Sequence, residues 1–341
     1  MPFDPTERVV LGRTGLSVTR LGFGGASLGG LYRPVSDADA RMTLERAWDL
    51  GIRLFDTAPL YGYGTSERRF GAALSGRSRD EFVLSTKVGR LVVATDAIPA
   101  DAEVDPQVFD GRRDGAYTGT DGRSILFDYS GDGIRRSIDA SLKRLGLDRI
   151  DVAYIHDPDD HWRAAIDEAF PALARLREAG VLRAIGVGMN QAPMLERFAR
   201  EGDFDVFLLA NRYTLLDHEA LSRLMPVCIE RGIAVIVGGV MNSGVLADPR
   251  AGSRFDYSTA PPDVIARAGR LAAVCARHDV PLKAAAVQFP LAHPAVVGLL
   301  AGVRSVEHLE EYDALLRRPV PAALWEELRA EGLIPAEAPT P

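Results

Sequence analysis

Eight short apolar runs, beginning near positions 21, 52, 82, 152, 184, 206, 233 and 296, alternate with segments of helical period along this 341-residue chain. Short apolar runs bounded by turn residues read as strands buried on both faces. The intervening segments 37–50, 66–74, 132–145, 161–179, 191–201, 217–231, 263–278 with 282–292, and 305–316 carry apolar residues at helical spacing. Parallel strands require crossover connections of this kind, and eight such units match an α/β fold of the (β/α)8 TIM barrel type better than an open sheet. The length permits two average domains or one large barrel. No linker divides the chain, so residues 1–341 are expected to form one barrel domain.

Three stretches depart from the alternation. Residues 9–11 and 16–18 flank the polar turn Gly12-Arg13-Thr14-Gly15, which predicts an N-terminal β-hairpin before the barrel. Residues 91–130, after the third strand, are rich in Asp, Gly and Pro without sustained period, and read as a long loop folded over a site, with Phe127, Asp128 and Tyr129 at its return. The tail AEAPTP is expected to fray. The glycines of LGFGGASLGG do not make a dinucleotide fingerprint, because Arg33-Pro34 intervenes before the next helix and that motif needs a helix opening on its third glycine.

A formal net charge of −7 leaves no electrostatic footprint for nucleic acid or an anionic membrane, so the expected partner is a small molecule. The chain has no basic start followed by an apolar core and no run of about 18 apolar residues. It reads as soluble and cytoplasmic. Cys228 and Cys275 lie among apolar neighbours in helical segments and read as reduced thiols.

Polar groups stand at the carboxyl ends of several strands: Asp56, Lys87, His156 and Asn190. In a closed barrel these ends face one bowl, so residues far apart in sequence become neighbours. Tyr61 follows Asp56 by five residues in a glycine-rich loop, and Lys87 is one of three lysines, with Lys143 and Lys283. An ammonium about 4 Å from a phenol, at an effective dielectric of about 20, favours the phenolate by roughly 4 kcal/mol, or about three pKa units before desolvation opposes it. Lys87 is therefore expected to bring Tyr61 toward neutrality, Asp56 to orient the lysine, and His156 to hydrogen-bond a substrate oxygen. Such a set exchanges a proton with an alcohol or carbonyl and needs a hydride partner for redox chemistry. The acidic run 157–161 reads as a loop and helix cap, and no spacing typical of a metal site supports a metal.

The stretches DTAPLYGYGTSE, FVLSTK and DVAYIHD resemble the catalytic motifs of the aldo-keto reductases, with Asp56, Tyr61, Lys87 and His156 matching the family's tetrad in order and spacing. The resemblance implies a nicotinamide cofactor, NADP or NAD, bound without a Rossmann domain, and hydride transfer at a carbonyl carbon. Under it, Asn190 becomes the carboxamide ligand, with Met189 in place of the family's serine. Asn211 stands beside Ala210, where the family has glutamine. Gly238 replaces a stacking tyrosine, and Gly238, Gly239, Asn242, Gly244 and Leu246 are expected against the ring and diphosphate. Gly302, Arg304 and Ser305 fit the phosphate and adenosine loop, with Tyr312 where an asparagine usually contacts adenine.

The combination GVGMN, NRYTLLDH and GGVMNSGVL is most similar to the L-fucose and D-threo-aldose 1-dehydrogenase branch, with pyridoxal 4-dehydrogenase a close relative. That branch implies oxidation of an aldose such as L-fucose, L-galactose or D-arabinose at C1 to the lactone. The alternatives are an NADPH-dependent aldehyde or ketone reductase, a pyridoxal dehydrogenase, and a non-enzymatic cofactor-sensing subunit.

Overall fold

The computed structural model of the chain describes residues 2–107, 116–120 and 122–341. Its centre is a closed barrel of eight parallel strands: β1 (Leu21–Gly24), β2 (Leu54–Asp56), β3 (Val83–Val88), β4 (Val152–His156), β5 (Ala184–Met189), β6 (Val206–Ala210), β7 (Ala234–Gly238) and β8 (Val296–Gly302). Each strand pairs with the next, and β8 pairs back onto β1 through Leu299 opposite Leu21 and Gly302 opposite Gly24. This is the (β/α)8 barrel that the eight apolar runs predict. Around it lie α1 (Asp37–Asp49), α2 (Thr65–Leu74), α3 (Gly131–Leu145), α4 (Phe170–Glu178), α5 (Ala192–Glu201), α6 (Leu224–Arg231), α7 (Pro262–Arg277), α8 (Leu282–Gln288), α9 (Val306–Arg317) and α10 (Ala322–Ala330).

The two-residue period of a strand sorts the core into two layers. Leu54, Val83, Val152, Tyr154, Val206, Leu208 and Ile236 form one cluster with Leu11, Leu16 and Val18 of the N-terminal hairpin. Their neighbours Phe55, Leu84, Ala153 and Phe207 belong to the larger cluster shared with the helices. The hairpin pairs Arg8–Val10 with Ser17–Thr19, and a Cβ on Gly12, at φ +54°, would stand 2.9 Å from the carbonyl oxygens of Asp205 and Gly232. Those residues precede β6 and β7, so the hairpin turn is pressed against the amino end of the barrel. The carboxyl end is left for chemistry.

Four local expectations change. Residues 91–130 are not a structureless loop: Arg90–Ala94 pairs antiparallel with Arg123–Phe127, because two β-branched or apolar stretches separated by polar sequence find each other across the insertion. Residues 108–115 and 121 of that expected loop lie outside the described residues. The helix expected from 217 begins only at Leu224, since Leu216 N and Asp217 N both donate to Thr214 Oγ1 and Glu219 N donates to Asp217 Oδ1, which holds turns instead.

The helix expected over 161–179 is interrupted by a π turn at Ala165–Ala169, where Phe170 N reaches back to Ala165 O. The wider turn accommodates Pro171, which has no N–H and crowds the preceding turn. The tail does not fray. Ala338 is buried, and Arg329 donates to Ala338 O at 3.0 Å and to Thr340 Oγ1 at 2.7 Å.

Candidate active site

Alternation along β2, β3 and β4 decides which side chains reach the bowl. Leu54, Val83 and Tyr154 point inward, so Asp56, Lys87 and His156, each an even number of residues further along its strand, share that face at the carboxyl end. Lys87 Nζ donates to Asp56 Oδ2 at 2.6 Å and to Thr57 O at 3.0 Å, while Ser85 Oγ donates to Asp56 Oδ1 at 2.7 Å. Both partners are 2% exposed or less, and a buried ion pair holds only when such additional bonds satisfy it.

Tyr61 reaches the same place from the loop after β2. A Cβ on Gly62, at φ +61°, would stand 2.2 Å from Gly29 O, so the loops after β1 and β2 meet backbone to backbone and fix the phenol's position. Lys87 Nζ lies 4.6 Å from the centre of the Tyr61 ring. The His156 ring stands edge-on to it at 5.9 Å, and Tyr117 stacks at 6.2 Å.

The electrostatics correct one expectation. Burial, followed by the negative charge of Asp56, pushes the Tyr61 phenol well above its ordinary value rather than toward neutrality. The ammonium that would have lowered it is matched by a carboxylate at 2.6 Å, so the pair offers a dipole rather than a net positive charge, and desolvation wins. Tyr61 is thus a protonated donor at neutral pH. Burial, then the charges of Arg90 and Lys87, hold His156 well below the usual imidazole range, so it is neutral and keeps one N–H and one lone pair.

Tyr61 lines two cavities at once. The smaller, about 340 Å³, is walled by Lys87, Arg90, Asp105, Gln107, Tyr117, His156, Asp157 and Asn190. The larger, about 500 Å³, extends from Asp56 past Gly238, Gly239 and Gly244 to Gly302, Arg304, His308 and Tyr312. The larger has the features a dinucleotide requires. A Cβ on Gly244 would meet nothing within 4 Å, and one on Gly302 would meet its first atom at 3.9 Å, so a ligand can rest on bare backbone at both places. Asn211 Oδ1 is buried there and meets no donor among the described residues. Burial, then the charge of Arg33, lowers the Arg304 guanidinium from its ordinary value, and an anion beside it would oppose both effects.

The structure therefore gathers Asp56, Tyr61, Lys87 and His156 at one point, with Asn190 in the smaller cavity and Asn211, Gly238, Gly239, Gly244, Gly302 and Arg304 along the larger. The side chains of three other expected cofactor residues are engaged within the fold. Asn242 accepts from Thr214 Oγ1 at 2.6 Å and donates to Asn211 O at 3.1 Å, so its amide braces a loop. Leu246 is fully buried in the outer core, because the loop that carries it turns inward there. Ser305 caps α9 by accepting from His308 N. Conversely, Tyr117, Tyr257, Arg90, Asp105, Gln107 and Asp157 line the cavities without having been read as site residues. Asp157 closes the motif DVAYIHD and opens the stretch that reads as a loop and helix cap, and Arg90 stands three residues past Lys87.

Comparison with known proteins agrees with this geometry. Residues 20–330 match the model of the aldo/keto reductase family. The chain is 43% identical to pyridoxal 4-dehydrogenase of Microbacterium luteolum, covering 98% of this chain and 100% of that one. It is 42% identical to D-threo-aldose 1-dehydrogenase of a Pseudomonas species, covering 94% and 96%. The holo form of an aldo-keto reductase from Bacillus halodurans superposes with a TM-score of 0.72 at 25% identity, covering 98% of each chain. With the tetrad-like cluster at the barrel's carboxyl end and the match running almost from end to end, the chain belongs to the aldo/keto reductase family and is an NAD(P)-dependent oxidoreductase.

Proposed function

We propose that residues 1–341 form one catalytic barrel domain that oxidises a cyclic hemiacetal, most simply an aldose such as L-fucose, L-galactose or D-arabinose at C1, to the lactone. The observation that carries this reading is Tyr61 lining two cavities at once, one of sugar size with charged and amide side chains in its wall, the other with a bare-backbone floor. The similarity to D-threo-aldose 1-dehydrogenase supports the choice of substrate class.

In this reading Tyr61, once deprotonated, takes the proton of the C1 hydroxyl, and returns it when the reaction runs toward the carbonyl. Lys87, held by Asp56, Thr57 O and the strand around it, stabilises the phenolate as it forms. His156 places its N–H on the reacting oxygen. A nicotinamide bound in the larger cavity supplies the hydride acceptor or donor. Asn190, which lines the smaller cavity, would hold its carboxamide where the two cavities share Tyr61; Asn211 and the backbone of Gly238, Gly239, Gly244 and Gly302 would flank the dinucleotide, and Arg304 would meet its phosphate end. A reducing, cytoplasmic setting suits the two buried free thiols, Cys228 and Cys275.

A second reading has a specific observation behind it, namely the similarity to pyridoxal 4-dehydrogenase. Pyridoxal closed on its own hydroxymethyl group is also a cyclic hemiacetal, so the same proton acceptor serves either substrate. NAD(P)+ reduction against a panel of aldoses, pyridoxal and simple alcohols separates the two. Turnover of aldoses at least tenfold above pyridoxal in kcat/KM is expected. Activity confined to NADPH-driven reduction of simple aldehydes would defeat the hemiacetal reading.

Arg304 makes the cofactor preference testable. With the guanidinium opposite a 2′-phosphate, the enzyme uses both nucleotides and leans to NADP. Arg304→Ala should lower kcat/KM for NADP by roughly tenfold while that for NAD changes little, as loss of one charge-assisted contact implies. An unchanged preference would remove the pairing.

A further inference from the structure

Part of the wall of the smaller cavity is a linked set of charged and amide side chains that the proton-transfer chemistry does not use. Arg90 Nη1 pairs with Asp105 Oδ2 at 2.9 Å, and Arg90 Nη2 lies 3.4 Å from Asp157 Oδ2. Gln107 donates to Asp105 twice, from its backbone N at 3.0 Å and from Nε2 at 2.5 Å. All four residues line the cavity that also contains Tyr61 and His156. A wall meant only to exclude water would be apolar.

Two features show where a ligand would bond. A carboxylate can only accept, so Gln107 must turn its NH2 toward Asp105, which leaves Oε1 as the other end; that oxygen is buried and meets no donor among the described residues. The Asp157 carboxylate is held loosely, at 3.4 Å from both Arg90 Nη2 and His156 Nε2, and its backbone is locked at φ +38°, a conformation that turns the residue after His156 out of the strand's course. Gln107 likewise adopts φ +45°. Two strained residues therefore bring two acceptors to one cavity, and strain of this kind persists where the surroundings enforce it. Tyr117 adds an aromatic face, stacked on Tyr61 at 6.2 Å, against which a sugar ring's C–H face can lie.

We propose that Gln107 Oε1 and the Asp157 carboxylate accept hydrogen bonds from the hydroxyls of a polyhydroxylated substrate next to its reacting carbon, with Arg90 and Asp105 holding both in place. This assignment rests on the hemiacetal reading for its biological substrate but not for its test. The site then discriminates in favour of hydroxylated substrates, because an analogue lacking the hydroxyl leaves buried acceptors unpaired.

The test uses a pair of aldehydes of equal chain length, glyceraldehyde and propanal, reduced with NADPH by the full-length enzyme. Gln107→Leu removes the acceptor at similar volume, and Asp157→Gly removes the carboxylate at a backbone position that glycine adopts freely. The ratio of kcat/KM for glyceraldehyde to that for propanal should fall about tenfold or more in each variant. A ratio that neither variant lowers by more than twofold overturns the assignment, whether or not the enzyme oxidises aldoses. If the ratio collapses in an enzyme that oxidises no aldose, the wall stands and the aldose reading falls. Circular dichroism of both variants, read beside the two rates, separates misfolding from lost recognition, since misfolding lowers the folded signal and both rates together and leaves their ratio unchanged.

Discussion

Tyr61→Phe should lower kcat in both directions by about 10³-fold, within the range that general acid–base groups contribute, while nucleotide binding persists. The substitution keeps the ring that stacks on Tyr117 and packs beside Lys87, and removes only the hydroxyl, so stability should change little. Its pH signature is as specific as its size. Burial and Asp56 hold the phenol protonated across the neutral range, so the fraction available as base grows with rising pH. Oxidation in the unaltered enzyme should therefore gain about tenfold in kcat/KM per pH unit between pH ~6.5 and pH ~9, whereas carbonyl reduction, which needs the protonated phenol, should stay level over the same span. The variant's residual oxidation should lose that slope. Initial rates across the pH series, with fluorescence titration of the nucleotide, decide the matter: a flat oxidation profile in the unaltered enzyme would remove Tyr61 as the titrating base.

Lys87→Met should be destabilising by about 3–5 kcal/mol, the usual consequence of leaving one member of a buried ion pair uncompensated, and should abolish measurable turnover. Asp56 would keep its bond from Ser85 Oγ at 2.7 Å but lose the Lys87 ammonium at 2.6 Å. The sign of the pH effect follows. Burial already pushes the Asp56 carboxyl up, against the pull of Lys87, and without the ammonium it rises further. A group whose folded pKa is raised contributes its stability below that pKa and loses it as pH climbs through it, so the deficit of Lys87→Met should be smaller at pH 5 than at pH 8. Adding Asp56→Asn removes the stranded charge. The double variant should regain most of the lost stability and none of the activity, which chemical denaturation and rate assays would separate. Equal instability in the single and double variants would mean that lost packing dominates rather than charge.

The barrel was legible because its constraint is local and repeated. A strand buried on both faces must be apolar, and the strand ends where the run meets Asp56, Lys87 or His156 could be read directly. Closing the barrel then turns these strand ends toward one bowl. Features that depend on distant partners were less legible. The ribbon of Arg90–Ala94 with Arg123–Phe127 joins stretches separated by a polar insertion, and the turns at 217–223 rest on Thr214 and Asp217 side chains competing with helix formation. α10 buries Leu324, Trp325 and Leu328, but its short sequence carries no functional motif to draw notice.

By itself the order of residues determined the eight-fold alternation, the end of the barrel at which polar groups collect, and the identity of the acid, phenol, lysine and histidine there. Tertiary structure alone decided the sign of the Tyr61 shift, the use of the Asn242, Leu246 and Ser305 side chains within the fold, and the arrival of Gln107 and Tyr117 at the smaller cavity. The physical reason is that periodicity records which way a side chain points, whereas desolvation, charge pairing and the reach of a long insertion depend on what else occupies the space around it.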